Sequence, residues 1–243
     1  MKEPFLNELG LENWLSGSEN NLRGQTLSED ELKDNMATIL DAFEQKPRAL
    51  YSGQQVHGQN IEYSDGERGS EHVYGKIFDD TDGLITDKEG VGLLVKFADC
   101  TPIVLYDEEN KVLAAAHSGW RGTVQEMGKR LVERMEKDYG SNPETIKAYV
   151  GPSIDQENYE VGPEVYEAFE AFPERDEFFE PRGEKYHLSM SDANISLLKS
   201  SGIKEENMSV NRESTFDSDR LHSSRQEGKD YALNTLTVMM LKK

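Results

Sequence analysis

Three soft ligands dominate the chemistry this sequence could support: Cys100, which is the only cysteine, and two of the five histidines, His57 and His117. One thiolate and two imidazoles leave a fourth position open for water or substrate, the pattern of a catalytic rather than a closed structural zinc site. The same donors suit copper, so ligand type alone leaves Zn2+ and Cu2+ both open. Without a metal, Cys100 and His117 read as a thiolate nucleophile and its base, the core of a cysteine hydrolase or amidase. Each residue also has a plainer role, since an apolar-flanked cysteine is most often a small buried side chain. Around them stand Gln55, Asp99 and Arg121. Arg121 lies between a strand and the start of a helix, a place where anions are often bound. Asp99 is adjacent to the thiolate and is a candidate acid or base, although strand alternation points it away from Cys100. His72 and His222 fall in polar stretches and read as solvated, while His187 begins a strand and reads as structural.

For these residues to meet, the chain must fold back on itself. In FADCTPIVLYDEENKVLAAAHSGWRG two apolar runs flank the polar turn 107–110, which predicts an antiparallel hairpin. Pairing Tyr106 with Lys111 sets Cys100 directly opposite His117 on one face, with Cβ atoms roughly 5 Å apart. A slip of one residue would send the two to opposite faces. Pro102 interrupts the pattern, because it cannot donate to a ladder. His57, within Gln54-Gln55-Val56-His57-Gly58, ends another strand and faces a cleft.

The remaining pattern supplies a frame. Leu32, Met36, Ile39 and Phe43 behind Ser28 and Glu31 predict a capped helix over 28–43. Strands are predicted over 49–56, 83–86, 91–98, 101–106, 112–117 and 146–150. A helix is predicted over 123–139, stopped by Gly140, with shorter ones over 163–172 and 191–200. Extended pieces fall near His187 and over 208–210 and 231–240. The segment 64–82, rich in Asp, Gly and Glu, reads as a long surface loop. The sum is a mixed α/β fold in one domain spanning residues 1–243.

Composition narrows the function. The chain carries 47 acidic against 27 basic residues, a formal charge of -20, with the acids scattered rather than gathered in a tail. A nucleic-acid partner is excluded on that balance, and solubility in strong salt is favoured. No apolar run approaches a membrane span, no signal-peptide pattern opens the chain, and a lone cysteine forms no internal disulfide, so a cytoplasmic location without membrane partners is expected. There is no P-loop, Gly-x-Gly-x-x-Gly or Gly-x-Ser-x-Gly, and no His-x-Glu with paired cysteines.

The segments QQVHGQNI (54–61), DGLITDKEGVGLLVKFADCTPIVLYD (82–107), AAHSGWRGT (115–123) and VGPSIDQENYEV (150–161) resemble the YfiH-like laccase-domain family, with a weaker likeness through YHLSMSDANISLLKSSGI (186–203). The resemblance implies a layered sandwich of largely antiparallel sheets covered by helices. It implies metal ligation by His57, Cys100 and His117, with zinc as the ion. It also implies phosphorolysis of purine nucleosides and methylthioadenosine, with deamination of adenosine. An older description of the family is copper polyphenol oxidase. A purine nucleoside and phosphate would then be the partners of a monomer or small homo-oligomer, with Arg121 first and Arg225 second in holding phosphate, and Asp99 and Gln55 as further catalytic candidates. The chain departs from the family pattern at both ends. It lacks the Thr-Thr-Arg-x-Gly-Gly segment after Gly10, as though a strand and a loop were missing. Near the C-terminus only Arg225 matches the usual basic motif. A metal-binding protein with degraded activity is therefore a third reading.

Overall fold

The computed structural model describes residues 1–242. In chain order its strands are β1 (Leu11–Ser16), β2 (Ala49–Gly53), β3 (Ile61–Tyr63), β4 (Ser70–His72), β5 (Gly75–Phe78), β6 (Gly83–Thr86), β7 (Val91–Phe97), β8 (Thr101–Asp107), β9 (Val112–Ser118), β10 (Lys147–Val150), β11 (Glu160–Val161), β12 (Phe179–Arg182), β13 (Lys185–Leu188), β14 (Met208–Val210) and β15 (Asn234–Met240). Its helices are α1 (Pro4–Glu8), α2 (Glu29–Asp41), α3 (Trp120–Val124), α4 (Met127–Tyr139), α5 (Pro163–Ala168), α6 (Arg175–Phe178), α7 (Met190–Ser200) and α8 (Ser224–Glu227). The strands form a sheet in the order β1-β15-β7-β2-β5-β4, a second in the order β14-β10-β8-β9-β6-β3, and a small third in the order β11-β13-β12. Most pairings are antiparallel. The exceptions are β2 with β5 and β7, β3 with β6, and β10 with β14. The fold is thus mixed α+β, as expected.

The two large sheets pack face to face. Tyr51, Leu93, Val95, Leu236 and Val238 of the first meet Val104, Tyr106, Leu113, Ala115 and Tyr149 of the second. The outer face of the second sheet, through Ile103, Leu105, Ala114 and Ala116, is covered by Met127, Leu131 and Met135 of α4 and Leu198 of α7. β8 and β9 are therefore buried on both faces, which is why they read as continuous apolar runs rather than alternating ones. On the outer face of the first sheet lies α2, whose Leu32, Met36 and Ile39 join Leu50, Leu94 and Met239. Its start is held as the sequence indicates, with Ser28 Oγ accepting from the Glu31 backbone at 3.3 Å and Glu31 accepting from the Ser28 backbone at 2.8 Å. No helix among the described residues is long and apolar enough to cross a membrane.

The structure corrects several expectations. The hairpin pairs Tyr106 with Leu113 and sets Pro102, not Cys100, opposite His117. The reason is a longer connection. Asp107 belongs to β8 and accepts from the backbones of Glu109 and Asn110 at 2.9 and 3.1 Å, while Lys111 takes a left-handed conformation at φ 54°. The slip is two residues, so the faces are preserved. The segment 64–82 is not a loop throughout, because β4 and β5 form a hairpin that adds β5 to the edge of β2. His72 accordingly lies half-buried against Tyr74, with ring centroids 4.4 Å apart, rather than in solvent. His222 is not solvated either, being bonded to Glu227 and to the Asn20 carbonyl. The helix expected over 123–139 is two helices, broken at Glu126 by a left-handed residue at φ 61° that periodicity does not register. The N-terminal strand β1, which pairs along its length with β15, carried no clear alternation and was not anticipated.

Candidate metal centre

Three segments deliver the soft ligands. Cys100 ends the turn before β8, and His117 is in β9 one position short of its end. His57 sits four residues past β2 in an irregular loop, at φ 59°, rather than at a strand end. Because the register slip is even, Cys100 and His117 stay on the inter-sheet face and still converge. One donor atom from each of the three residues lies within 4.8 Å of the others, and Cys100 Sγ is 3.8 Å from His57 Nε2. A tetrahedral zinc site places its N and S donors about 3.3–3.6 Å apart, given its bond lengths. The donors therefore stand within a small contraction of ligating geometry. The backbone is shaped to this spacing: a Cβ built on Gly119 would lie 2.6 Å from Cys100 Sγ and 3.1 Å from His57 Cδ2. Among the described residues this is the one cluster of three or more such ligands, so the donor set fits a single divalent ion.

The electrostatics favour ligation. Burial raises the Cys100 pKa, but the neighbouring His117 and His57 outweigh it and bring it down to about 6. Burial also opposes the charge on His117, yet the thiolate and Asp82 raise its pKa to about 9. His117 Nδ1 is taken by Asp82 Oδ1 at 2.8 Å, leaving Nε2 for the cluster. Asp82 is buried, which works against its charge, but the His117 ring and the backbone N–H groups of Gly58 and Val56 hold its pKa below the usual carboxylate range. Sequence reasoning passed over Asp82, although it opens the DGLIT motif. No local pattern marks it, because β6, which it precedes, meets the strand of His117 only by pairing.

The cluster forms the floor of a cleft of about 460 Å³ whose wall includes Gln55, Asp99, Trp120, Arg121, Tyr159 and Arg225. Arg121 lies within α3, a helix too short to offer much dipole, and its guanidinium stacks on Trp120 at 4.3 Å with no carboxylate partner among the described residues. Arg225 donates to the Glu160 carbonyl at 3.1 Å and sits 5.3 Å from the Tyr159 ring centroid, likewise without a carboxylate. In a chain of charge -20, two arginines that pair with no acid among the described residues stand at one cleft. Burial and the nearby thiolate raise the Tyr159 pKa, so its hydroxyl stays protonated and able to donate within the cleft wall. The sequence marks Tyr159 only by its place in the segment VGPSIDQENYEV.

Gln55 and Asp99 are otherwise engaged. The Gln55 amide is spent on the Lys96 backbone, donating at 2.6 Å and accepting at 2.9 Å. Asp99, at φ 82°, accepts from Thr215 Oγ1 at 2.7 Å, Ser224 Oγ at 2.8 Å and the Arg225 backbone at 2.7 Å. His187 Nδ1 donates to the Gln156 carbonyl at 3.0 Å and lies outside the cleft wall. Behind the floor, Ser118, Thr123 and Asn194 form a buried hydrogen-bonded trio that locks β9, α3 and α7 together.

Residues 18–241 match the family model described as multi-copper polyphenol oxidoreductase laccase. A protein of Bacteroides thetaiotaomicron named purine nucleoside phosphorylase is 31% identical over 215 residues, covering 82% of this chain and 76% of its own. A protein from an unknown prokaryotic organism named adenosine deaminase RL5 is 39% identical over 130 residues, covering 52% of this chain and about half, 49%, of its own. Among solved structures, the hypothetical protein YfiH of Bacillus licheniformis superposes with a TM-score of 0.85 at 26% identity, covering 91% of this chain and 85% of the other.

Proposed function

Since this chain belongs to the multi-copper polyphenol oxidoreductase laccase family, we propose that it is a metal-dependent purine nucleoside phosphorylase that also deaminates adenosine, with zinc at His57, Cys100 and His117. The observation that carries the reading is the convergence of three soft ligands on the floor of a cleft whose wall holds two arginines without acidic partners. The names carried by the relatives from Bacteroides thetaiotaomicron and the unknown prokaryote support the substrate class. When bound, the ion supplies Lewis acidity, polarising a substrate oxygen or lowering the pKa of water at the open position.

The chain's own groups do the rest. In phosphorolysis a phosphate oxygen forms a bond to C1′ of the ribose as the C1′–N9 bond breaks, and the electron pair leaves with the purine, which takes up a proton. Arg121 holds the phosphate and Arg225 assists, each guanidinium able to bind two oxygens at once. The Tyr159 hydroxyl donates to the same anion or to the departing base. Asp99, with both oxygens occupied, fixes the segment that carries Arg225 rather than exchanging a proton. Gln55 holds the cleft wall by its grip on Lys96.

A second reading is favoured by one observation. Cys100, His117 and Asp82 stand in the order nucleophile, base and orienting carboxylate, which suits a metal-free cysteine hydrolase. Elemental analysis of the purified protein, run beside an assay of adenosine plus phosphate that follows adenine and inosine, separates the two. Stoichiometric zinc with product formation lost in Cys100→Ala is the expected result. Activity that survives a chelator and is lost to alkylation would transfer the cysteine to the hydrolase. Stoichiometric copper with phenol oxidation would restore the older family description. Bound metal with no turnover of any purine nucleoside would leave a binding protein of degraded activity.

A further inference from the structure

Asp82 accepts from more donors than any other carboxylate at the site, and all of them belong to the metal cluster or to the loop that carries it. Its Oδ1 lies 2.8 Å from His117 Nδ1 and 3.1 Å from the His57 backbone nitrogen, and its Oδ2 lies 3.0 Å from the Val56 and 2.8 Å from the Gly58 backbone nitrogens. Its own carbonyl accepts from the His117 backbone at 2.8 Å. The side chain is fully buried. Residues 54–60 have no regular structure of their own, and His57 there holds a left-handed conformation that a non-glycine residue adopts only under constraint. Beyond Asp82, the His57 backbone is tied among the described residues only by Gln125, whose amide donates to its carbonyl at 3.0 Å.

We infer that Asp82 is the positioning residue of this metal centre, a single carboxylate that sets two of the three ligands at once. It fixes the tautomer and tilt of His117 through one oxygen and folds the His57 loop around both. The two histidines arrive from different parts of the first half of the chain, on β9 and on the loop after β2, and Asp82 at the head of β6 is the group they share. Cys100 is placed independently, by the turn before β8 and by the close approach of Gly119.

The chemistry admits little else at this position. Every neighbour of the two oxygens is a donor, and only a carboxylate offers acceptors on both sides. An asparagine turned one way would aim its NH2 at the Val56 and Gly58 N–H groups. Turned the other way, it would force the second His117 tautomer, whose proton then sits on the nitrogen meant for the ion.

The inference rests on the metal-site part of the proposed function, not on turnover, so it is tested by binding. Zinc affinity is measured by competition with a chromophoric chelator for wild type, Asp82→Asn and Asp82→Ala. The d–d and thiolate charge-transfer bands of the Co2+ forms are recorded beside it. Asp107→Asn is the matched control, because Asp107 is also buried and also closes a turn with backbone N–H groups, far from the cluster. The expected result is a loss of about 10- to 100-fold in Asp82→Asn, a larger loss in Asp82→Ala, altered d–d bands with the thiolate band kept, and no change in the control. His57→Ala should then cost less in the Asp82→Ala background than in wild type, because the loop is already released. Wild-type affinity in both Asp82 variants, or costs that simply add, would overturn the inference while leaving the function standing. Wild-type protein that takes up no ion would overturn both.

Discussion

Replacing Gly119 by alanine isolates the demand that the metal cluster makes on the backbone. Gly119 has φ -77° and ψ 178°, which any residue adopts, so the substitution introduces no backbone strain. Its whole effect comes from one methyl group, 2.6 Å from Cys100 Sγ, 3.1 Å from His57 Cδ2 and 3.6 Å from Cys100 Cβ. Non-bonded heavy atoms settle at about 3.5–4.0 Å, so the sulfur must retreat by about 1 Å. Metal–ligand distances tolerate only about 0.2 Å, which makes the displacement several times too large for ligation unless β9 itself moves. Overpacking of this kind costs about 1–3 kcal/mol, and the open cleft on one side puts this site at the low end. The expected Gly119→Ala protein is folded, melts slightly lower, and loses at least tenfold in zinc affinity in the same chelator competition, approaching Cys100→Ala in metal content. Wild-type affinity in Gly119→Ala would refute the reasoning, since it would mean that the three donors need not hold their present spacing.

Arg121→Ala and Arg225→Ala should each raise the KM for phosphate by about 10- to 100-fold, the worth of a charge-assisted hydrogen bond, while metal content stays at the wild-type level. In the metal-free protein, the lowered thiol pKa means that alkylation of Cys100 should follow a midpoint near pH 6 rather than near 9. The thiolate's contribution to stability is present above its unfolded value of 9.0 and is lost as pH falls through 6, whereas that of the His117 imidazolium is present below 6.5 and is lost as pH rises through 9. Between those limits the proton given up by sulfur is taken up by the ring, so the melting temperature of the metal-free form should be nearly flat from 6.5 to 9 as far as this pair decides it. Finally, a charge of -20 repels itself, so the melting temperature should rise from low salt to about 1 M, where the Debye length is about 3 Å, and a falling or constant value would remove salt adaptation from consideration.

What the sequence reveals depends on whether a feature is local or shared. The capped start of α2 and the apolar runs of β7, β8 and β9 were legible because a cap is a four-residue pattern and double burial is written in every position. The register of the hairpin was not, because it turns on whether Asp107 ends a strand or begins a turn, a choice made by two backbone hydrogen bonds. Cys100 and His117 still met because a two-residue slip conserves the face, so parity rather than pairing carried the argument. β1 was missed because its partner β15 lies more than 200 residues away and its buried positions include Glu12, Asn13 and Ser16, which break any apolar run. The roles of Asp82 and Asp99 were hidden for a related reason: each is defined by groups that reach it from other segments, and nothing adjacent in the chain records them.

The tether at Asp99 divides the labour of the cleft. The three candidate metal ligands lie between residues 57 and 117, while Arg225 rides on the late stretch between β14 and β15, fastened to Asp99 by two hydroxyls and one amide. That stretch is therefore a graftable part. Exchanging it for the corresponding piece of a relative, with Thr215 and Ser224 retained as anchors, would replace the Arg225 side of the cleft while leaving His57, Cys100 and His117 in place.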